Sequence, residues 1–111
     1  MVKSLDIYKN LGELDTKKNI NVADELYTLI KGRKITEARK LWNSNTVDYR
    51  SITFQIYLKV WNDASLNASD KITAVEIIAE SDYRMVYGAN AEITFANMAF
   101  KLMKILGKKG A

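Results

Sequence analysis

Residues 77–95 limit the possible folds of this chain more than any other stretch. Apolar residues recur at helical spacing on both sides of Gly88, and Asn90 is a residue type that commonly caps the start of a helix. Glycine is the preferred residue where a helix ends in the left-handed conformation. The stretch therefore predicts two helices joined by the turn Gly88-Ala89-Asn90, and we expect the second helix to run to Leu106.

The rest of the chain also has the apolar spacing of helices and contains no proline. We expect helices to end in left-handed caps at the five glycines, which are Gly12, Gly32, Gly88, Gly107 and Gly110. Three further helices are predicted at 22–31, 34–43 and 47–64, and the first helix of the hairpin is predicted at 69–87. The predicted N-caps of the first and last of these are Asn21 and Ser69. The fold class predicted is all-α, a five-helix bundle preceded by a short N-terminal helix.

The predicted helix at 47–64 has an alternative, a β-strand. Residues 51–61 also fit a strand, but the apolar segment around them is longer than a typical strand, so helix is favoured.

Trp42 and Trp61 fit a core position better than a platform for stacking bases. The apolar last helix fits either a deep core or a contact with another chain. The predicted buried residues of the helix at 69–87 are Ile72, Val75, Ile78, Ala79 and Val86.

The composition excludes several kinds of catalysis. The chain of 111 residues contains no cysteine and no histidine, which removes thiolate and imidazole metal ligands and the Ser-His-Asp triad. Glu76 and Glu80 share a helix face, but a solvated face explains them better than acid-base chemistry or a cation site. A small enzyme with a Ser-Lys or carboxylate pair has no motif to support it. We expect a chain that is not an enzyme.

The formal net charge is +4, and basic residues gather near the C-terminus. No acidic residue follows Glu92, and four lysines lie after it at spacings of one, three or four residues: Lys101, Lys104, Lys108 and Lys109. Cations at a helix C-terminus complement the helix dipole, which is one explanation. Contact with DNA phosphates is the other.

The order of helices and the run IAESDYRMVYGANAEITF resemble the C-terminal collar domain of a sliding-clamp loader subunit. The relatives in question are the replication factor C small subunits and the ATPase subunit of the T-even phage clamp loader. ADELYTLIKGRKITEARKLW resembles the opening helix pair of that domain, and DYRSITFQIYLKVW resembles the long helix that follows. Thr94-Phe95 stands where cellular members commonly have Gln-Leu, so the phage version is the more similar.

The resemblance implies an assembly function. It implies a collar domain at 20–111 that holds subunits in a ring, preceded at 1–19 by the remnant of a lid-type helix and a linker. No Gly-x-x-x-x-Gly-Lys-Ser/Thr motif occurs, so ATP and magnesium are expected in a missing N-terminal part. The implied partners are other clamp loader subunits, the sliding clamp through that missing part, and primer-template DNA.

The last helical hairpin supplies the candidate interface residues. These are Tyr83, Arg84, Tyr87, Asn90, Phe95 and Phe100. The four residues near the turn have structural alternatives: Arg84 fits an ion pair with Glu80 one turn earlier, Asn90 fits a helix cap, and the tyrosines fit the edge of a core.

A free-standing small basic helical protein, binding nucleic acid or regulating a phage process, is the alternative function. The absence of cysteine, of a signal-like start and of a long apolar run favours a cytoplasmic protein of a prokaryotic or phage-infected cell, neither secreted nor in a membrane.

Overall fold

Helices form every regular element in the part of the chain that the structure describes. The structure is a computed structural model that describes residues 21–44 and 47–107. The described part of α1 covers residues 21–31, and it is followed by α2 (Ile35–Ser44), α3 (Tyr49–Trp61), α4 (Ala68–Val86) and α5 (Ala91–Leu106). No strand occurs within these ranges, so α3 is a helix rather than a strand. The all-α, five-helix prediction is confirmed, whereas the short N-terminal helix lies outside the described residues.

The N-caps differ from two of the predictions. Asn21 is already helical, so it is not an N-cap within α1. Asn67 rather than Ser69 caps α4, because its extended backbone directs the side-chain oxygen at the amide of Asp70, 2.8 Å away. Asp48 caps α3 by accepting from the amides of Arg50 and Ser51. Asparagine, aspartate and serine are about equally good caps, so the choice among neighbours depends on the loop that precedes the helix.

Left-handed backbone is rarer than predicted at the three described glycines, while Gly12 and Gly110 lie outside the described residues. Gly88 has a φ of +94°, as expected, but at the end of α1 the left-handed residue is Arg33, with a φ of 55°. The prediction for Gly32 is therefore wrong, and so is that for Gly107, whose φ is −87°. The side chain of Arg33 makes two hydrogen bonds to the end of α5. Its Nε donates to the carbonyl oxygen of Met103 at 3.1 Å, and its Nη2 donates to the carbonyl oxygen of Lys104 at 3.2 Å. Arg33 thus caps the C-terminus of α5, where a cation also complements the dipole.

Gly107 is needed because another side chain approaches it closely. A β-carbon at this position would lie 2.4 Å from Cγ of Arg33 and 2.6 Å from the carbonyl oxygen of Met103. Both distances are shorter than any relaxed contact, and one partner is backbone. Glycine therefore lets Arg33 lie across the end of α5.

Replacing Gly107 by alanine should destabilise the fold by about 1–3 kcal/mol, because the added methyl overpacks a closed site. The measurement is urea unfolding followed by circular dichroism. Gly32→Ala is the matched control, since its β-carbon would meet nothing closer than 3.4 Å and should change stability much less. Equal stability of the Gly107→Ala variant and the native chain would contradict this account.

The core is built around α5. Helix α4 packs on α3 and α5, and α3 packs on α5. Trp42 of α2 meets Phe95 edge to face at 5.3 Å between ring centroids, and Tyr49 meets the same ring at 5.2 Å. Buried large apolar side chains typically contribute about 1.5–3 kcal/mol each. The buried residues of α5 are Thr94, Phe95, Met98, Ala99, Leu102, Met103 and Leu106.

Helix α4 buries a different face from the one predicted. Its buried positions are Asp70, Ala74, Ile78, Ser81 and Met85. The hydroxyl of Ser81 donates to the carbonyl of Ile77 at 3.0 Å, so a polar residue is accommodated inside. Of the predicted set, Ile78 is buried and Val75 is partly buried, but Ile72, Ala79 and Val86 are exposed. The buried face holds small and polar residues, so it looks less apolar than the outer face, and periodicity alone selected the wrong one.

The two tryptophans have different environments. Trp42 is buried as predicted, and its indole nitrogen has no hydrogen-bond partner among the described residues. Trp61 is 61% exposed, so the core prediction for it is wrong. It is the last residue of α3, and the ammonium of Lys71 lies 5.9 Å from its ring centroid.

Asp63 joins α1 to the loop between α3 and α4. Its carboxylate accepts from the hydroxyl of Tyr27 at 2.7 Å and from the ammonium of Lys31 at 2.7 Å, and also from the amide and hydroxyl of Ser65. Burial by itself raises the pKa of Asp63, but these hydrogen bonds outweigh burial and hold the pKa well below its usual range. Burial, and then the bond to Asp63, raise the pKa of Tyr27. A second ion pair joins Lys59 of α3 to Asp24 of α1.

The Asp63 network should make stability depend on pH. Because the folded-state pKa is below the ordinary value of about 3.9, the stabilisation is complete above about pH 5 and is lost as the pH falls below about 4. Asp63→Asn should cost about 2 kcal/mol at pH 6, and its deficit relative to the native chain should shrink towards pH 3. Urea midpoints of both chains across this range measure the effect. A deficit that stays constant with pH would show that the charge of Asp63 does not matter.

Candidate subunit interface

The turn between α4 and α5 is closed by its own backbone. The amide of Ala89 donates to the carbonyl of Arg84 at 3.0 Å, and the amide of Gly88 donates to that of Met85 at 3.3 Å. This pair of bonds, with Gly88 left-handed, is the Schellman arrangement. Asn90 then accepts from the amide of Ile93 at 2.9 Å and caps α5, as its structural alternative predicted. The hairpin end is therefore rigid, and what it presents to solvent is fixed.

Large apolar side chains project from this rigid end. Tyr83 and Tyr87 pack on each other with ring centroids 4.6 Å apart, and Tyr87 is 75% exposed. Val86, beside them on α4, and Ile93, in the first turn of α5, are also largely exposed. Rigid aromatic side chains of this kind are enriched at the energetic centres of protein interfaces.

The apolar surface continues along α4. Exposed or partly exposed residues recur along α4 at spacings of three and four and form a stripe that we call the outer face of α4. It consists of Ile72, Val75, Ala79, Tyr83 and Val86. Glu76 and Glu80 lie along the edge of this stripe and are exposed. Beside it, a groove of about 370 Å³ separates α3 from α4 and is lined by Phe54 and Tyr57. A surface helix normally has one apolar stripe facing its core, and α4 has a second, of which Ile72, Tyr83 and Val86 are exposed while Val75 packs partly against the core.

Charged residues on α4 are paired mainly with their own neighbours. Arg84 donates to Glu80 at 2.7 Å, one helical turn away, and both side chains are exposed. The hydrogen bond from Arg84, its charge, and that of Lys101 lower the pKa of Glu80. On the far side of the groove Arg50 makes two hydrogen bonds to Asp82. The ion pair expected for Arg84 is thus present, and its interface role stays a prediction.

The six predicted interface residues are only partly brought together. Tyr83, Arg84, Tyr87 and Asn90 lie at the hairpin end. Phe95 is completely buried between Trp42 and Tyr49, so its surface is not available to a partner and its interface assignment is corrected to a core one.

Phe100 lies further along α5, away from the hairpin end. Its ring centroid is 6.4 Å from that of Trp42, and the side chain is 36% exposed at the edge of the core. Its interface role stays a prediction.

The predicted basic surface is present in part. Lys101 and Lys104 are exposed on α5, whereas Lys108 and Lys109 lie outside the described residues. The backbone carbonyl of Lys104 accepts from Arg33, so Arg33 contributes to the cap of α5. A role in DNA contact stays a prediction.

The described residues show no group of three or more acidic side chains that could hold a metal ion. None of their helices is both long and apolar enough to cross a membrane.

Comparison with known families decides the relationship. The profile of the replication factor C C-terminal domain matches residues 21–101, which is most of the chain. This chain belongs to that family. Comparisons with the curated proteins and with the solved structures gave no match.

The replication factor C C-terminal domain is a non-catalytic part of the clamp loader, so membership gives the chain a clamp loader role in DNA replication. It also indicates association with other clamp loader subunits. The match includes the whole of α1 to α4 as described and α5 as far as Lys101. The hairpin end with its exposed aromatic residues therefore lies within the residues that match the family.

Sequence reasoning missed several exposed apolar residues. The sequence predicts Ile72 and Val86 in the core, although both are exposed, and Phe54 on α3 is exposed too. The signal for an outer face on α4 was available, because the helix carries two stripes of suitable spacing and a core needs only one. No local signal distinguishes the two without knowledge of which neighbours pack on them.

The cap of α5 provides a test of the hairpin end. Asn90→Ala should destabilise the chain by about 1 kcal/mol, because the amide of Ile93 loses its acceptor, whereas Asn90→Asp should be close to neutral. Thermal unfolding measures both variants. A neutral Asn90→Ala variant would mean that the cap contributes nothing and that the turn is held by the Schellman bonds alone.

Proposed function

We propose that this chain is the assembly domain of a clamp loader subunit, holding subunits together in a ring. The observation that carries the proposal is the rigid, exposed aromatic end of the α4–α5 hairpin. Membership of the replication factor C family supports it, because that domain belongs to a multisubunit machine. The family match also favours this function over that of a free-standing regulatory protein.

The physical argument is the cost of exposed apolar surface. Tyr83, Val86 and Tyr87 leave apolar area in water, and each square ångström removed from water on association contributes about 25 cal/mol before the costs of binding. The hairpin end needs no reorganisation to bind, since its backbone bonds are already made. A preorganised aromatic patch is the kind of surface that tight interfaces use.

Further partners follow from the same proposal. The assembled loader would act on a sliding clamp and on primer-template DNA in the cytoplasm, with ATP and magnesium bound by a different part of the machine. Lys101 and Lys104, both exposed on α5, would be the DNA-contacting residues of this domain. Each phosphate they neutralise would steepen the dependence of DNA affinity on salt.

The test is self-association of the 111-residue chain measured by sedimentation over a range of concentrations. We expect Tyr83→Ser/Tyr87→Ser to weaken association at least tenfold, because it removes the exposed ring pair. The control is Trp61→Ser, which removes an equally exposed aromatic residue at the end of α3. A chain that stays monomeric at every concentration, or equal effects of the two variants, would count against the proposal.

A further inference from the structure

The outer face of α2 carries a shallow groove whose polar lining consists of hydrogen-bond donors. All the side chains that line it are exposed, and only Ile35 among them is apolar. The other side of the helix is different, because Ala38 and Trp42 are buried there in the core. The polar residues of the groove, each of which carries at least one donor, are Thr36, Arg39, Lys40, Asn43 and Ser44.

The positive charge of this groove is not neutralised within the described residues. Neither Arg39 nor Lys40 makes an ion pair with any residue in 21–44 or 47–107, and Lys34, just before the helix, is exposed as well. Glu37 is also exposed on α2, but it does not line the groove, and helical spacing places it beyond Lys40, on the side away from Arg39. One carboxylate thus reduces the charge of this surface without cancelling it.

The exposed lysines of α5 have a different electrostatic environment. The hydrogen bond and the charge of Arg84 lower the pKa of Glu80 most, and the charge of Lys101 adds to this effect. Lys101 therefore already acts on a carboxylate of α4, whereas no ion pair within the described residues engages Arg39 or Lys40. The groove of α2 is the better placed of the two basic surfaces to attract an external anion.

The spread of these donors fits a chain of phosphates better than a single anion. Thr36 and Asn43 are two helical turns apart, about 10 Å along the axis, and the groove between them is open to solvent. Arginine, lysine, threonine, serine and asparagine side chains make many of the contacts that proteins form with DNA phosphates. No aromatic side chain lines the groove to stack bases, and Ile35 alone gives little apolar area for the core of a protein interface. The surface therefore fits the backbone of a duplex.

We propose that the outer face of α2 binds the phosphate backbone of duplex DNA. Arg39 and Lys40 neutralise phosphates, and Thr36 and Asn43 donate hydrogen bonds to phosphate oxygens. Such contacts carry no sequence information, so the affinity is the same for duplexes of different sequence. The DNA contact rests on the clamp loader function proposed above, which brings the chain to DNA, and it does not require the assembly contact at the hairpin end.

Fluorescence anisotropy with a labelled primer-template duplex tests the contact between about 50 and 200 mM salt. Arg39→Gln/Lys40→Gln should weaken binding at least tenfold at the lower salt and reduce the slope of log affinity against log salt by about 2, because two phosphate contacts are lost. Arg39→Lys/Lys40→Arg keeps both charges and should bind like the native chain. The matched control Arg50→Gln/Lys71→Gln removes the same charge from α3 and α4 and should change the affinity less than twofold. Helical circular dichroism confirms that each variant folds.

Four other results would each overturn the DNA contact on α2. Equal losses of affinity in the α2 variant and its matched control would mean that binding follows net charge alone. Loss of binding in Lys101→Gln/Lys104→Gln, with the α2 variant unaffected, would place the DNA contact on α5. Normal DNA binding by the α2 variant, with weaker self-association in sedimentation, would assign the face to a protein partner. A native chain that self-associates without binding the duplex would contradict the DNA contact and leave the assembly function standing.

Discussion

Burial of Phe95 is the contact on which the rest of the structure depends. Its ring lies between Trp42 of α2 and Tyr49 of α3, and it belongs to α5, which packs on α4 as well. Large aromatic side chains carry the most buried area per residue, and edge-to-face packing adds a preference for one geometry. One side chain thus fixes the positions of α2, α3 and α5 relative to one another.

This arrangement determines which surfaces are left for partners. The apolar residues of α5 are mostly used inside the domain, since its buried residues recur at spacings of three and four and form one broad face of the helix. The surfaces that remain apolar and exposed belong to α4 and to the hairpin end, where Tyr83 and Tyr87 project. The hydrophobic helix that the sequence makes most conspicuous is therefore the scaffold, and its more polar neighbour carries the candidate interface.

The sequence predicted the elements well and the faces less well. Helix count, class and the α4–α5 turn followed from periodicity, from Gly88 and from Asn90, because these signals are local. The buried face of α4 did not follow, because Ala74 and Ser81 look less apolar than Ile72 and Val86, and only the tertiary neighbours decide. Arg33 was equally out of reach, since its left-handed backbone and its bonds to the end of α5 depend on residues about 70 positions away.

The contact between Arg33 and the end of α5 has a consequence for how the domain forms during synthesis. A ribosome releases the turn after α1 long before the carbonyls of Met103 and Lys104 exist, so the guanidinium must wait in solvent until almost the whole domain has emerged. Contacts between distant parts of a chain form late because loop closure precedes them. The helix pair at the start of the domain is therefore completed only after α5 has left the exit tunnel.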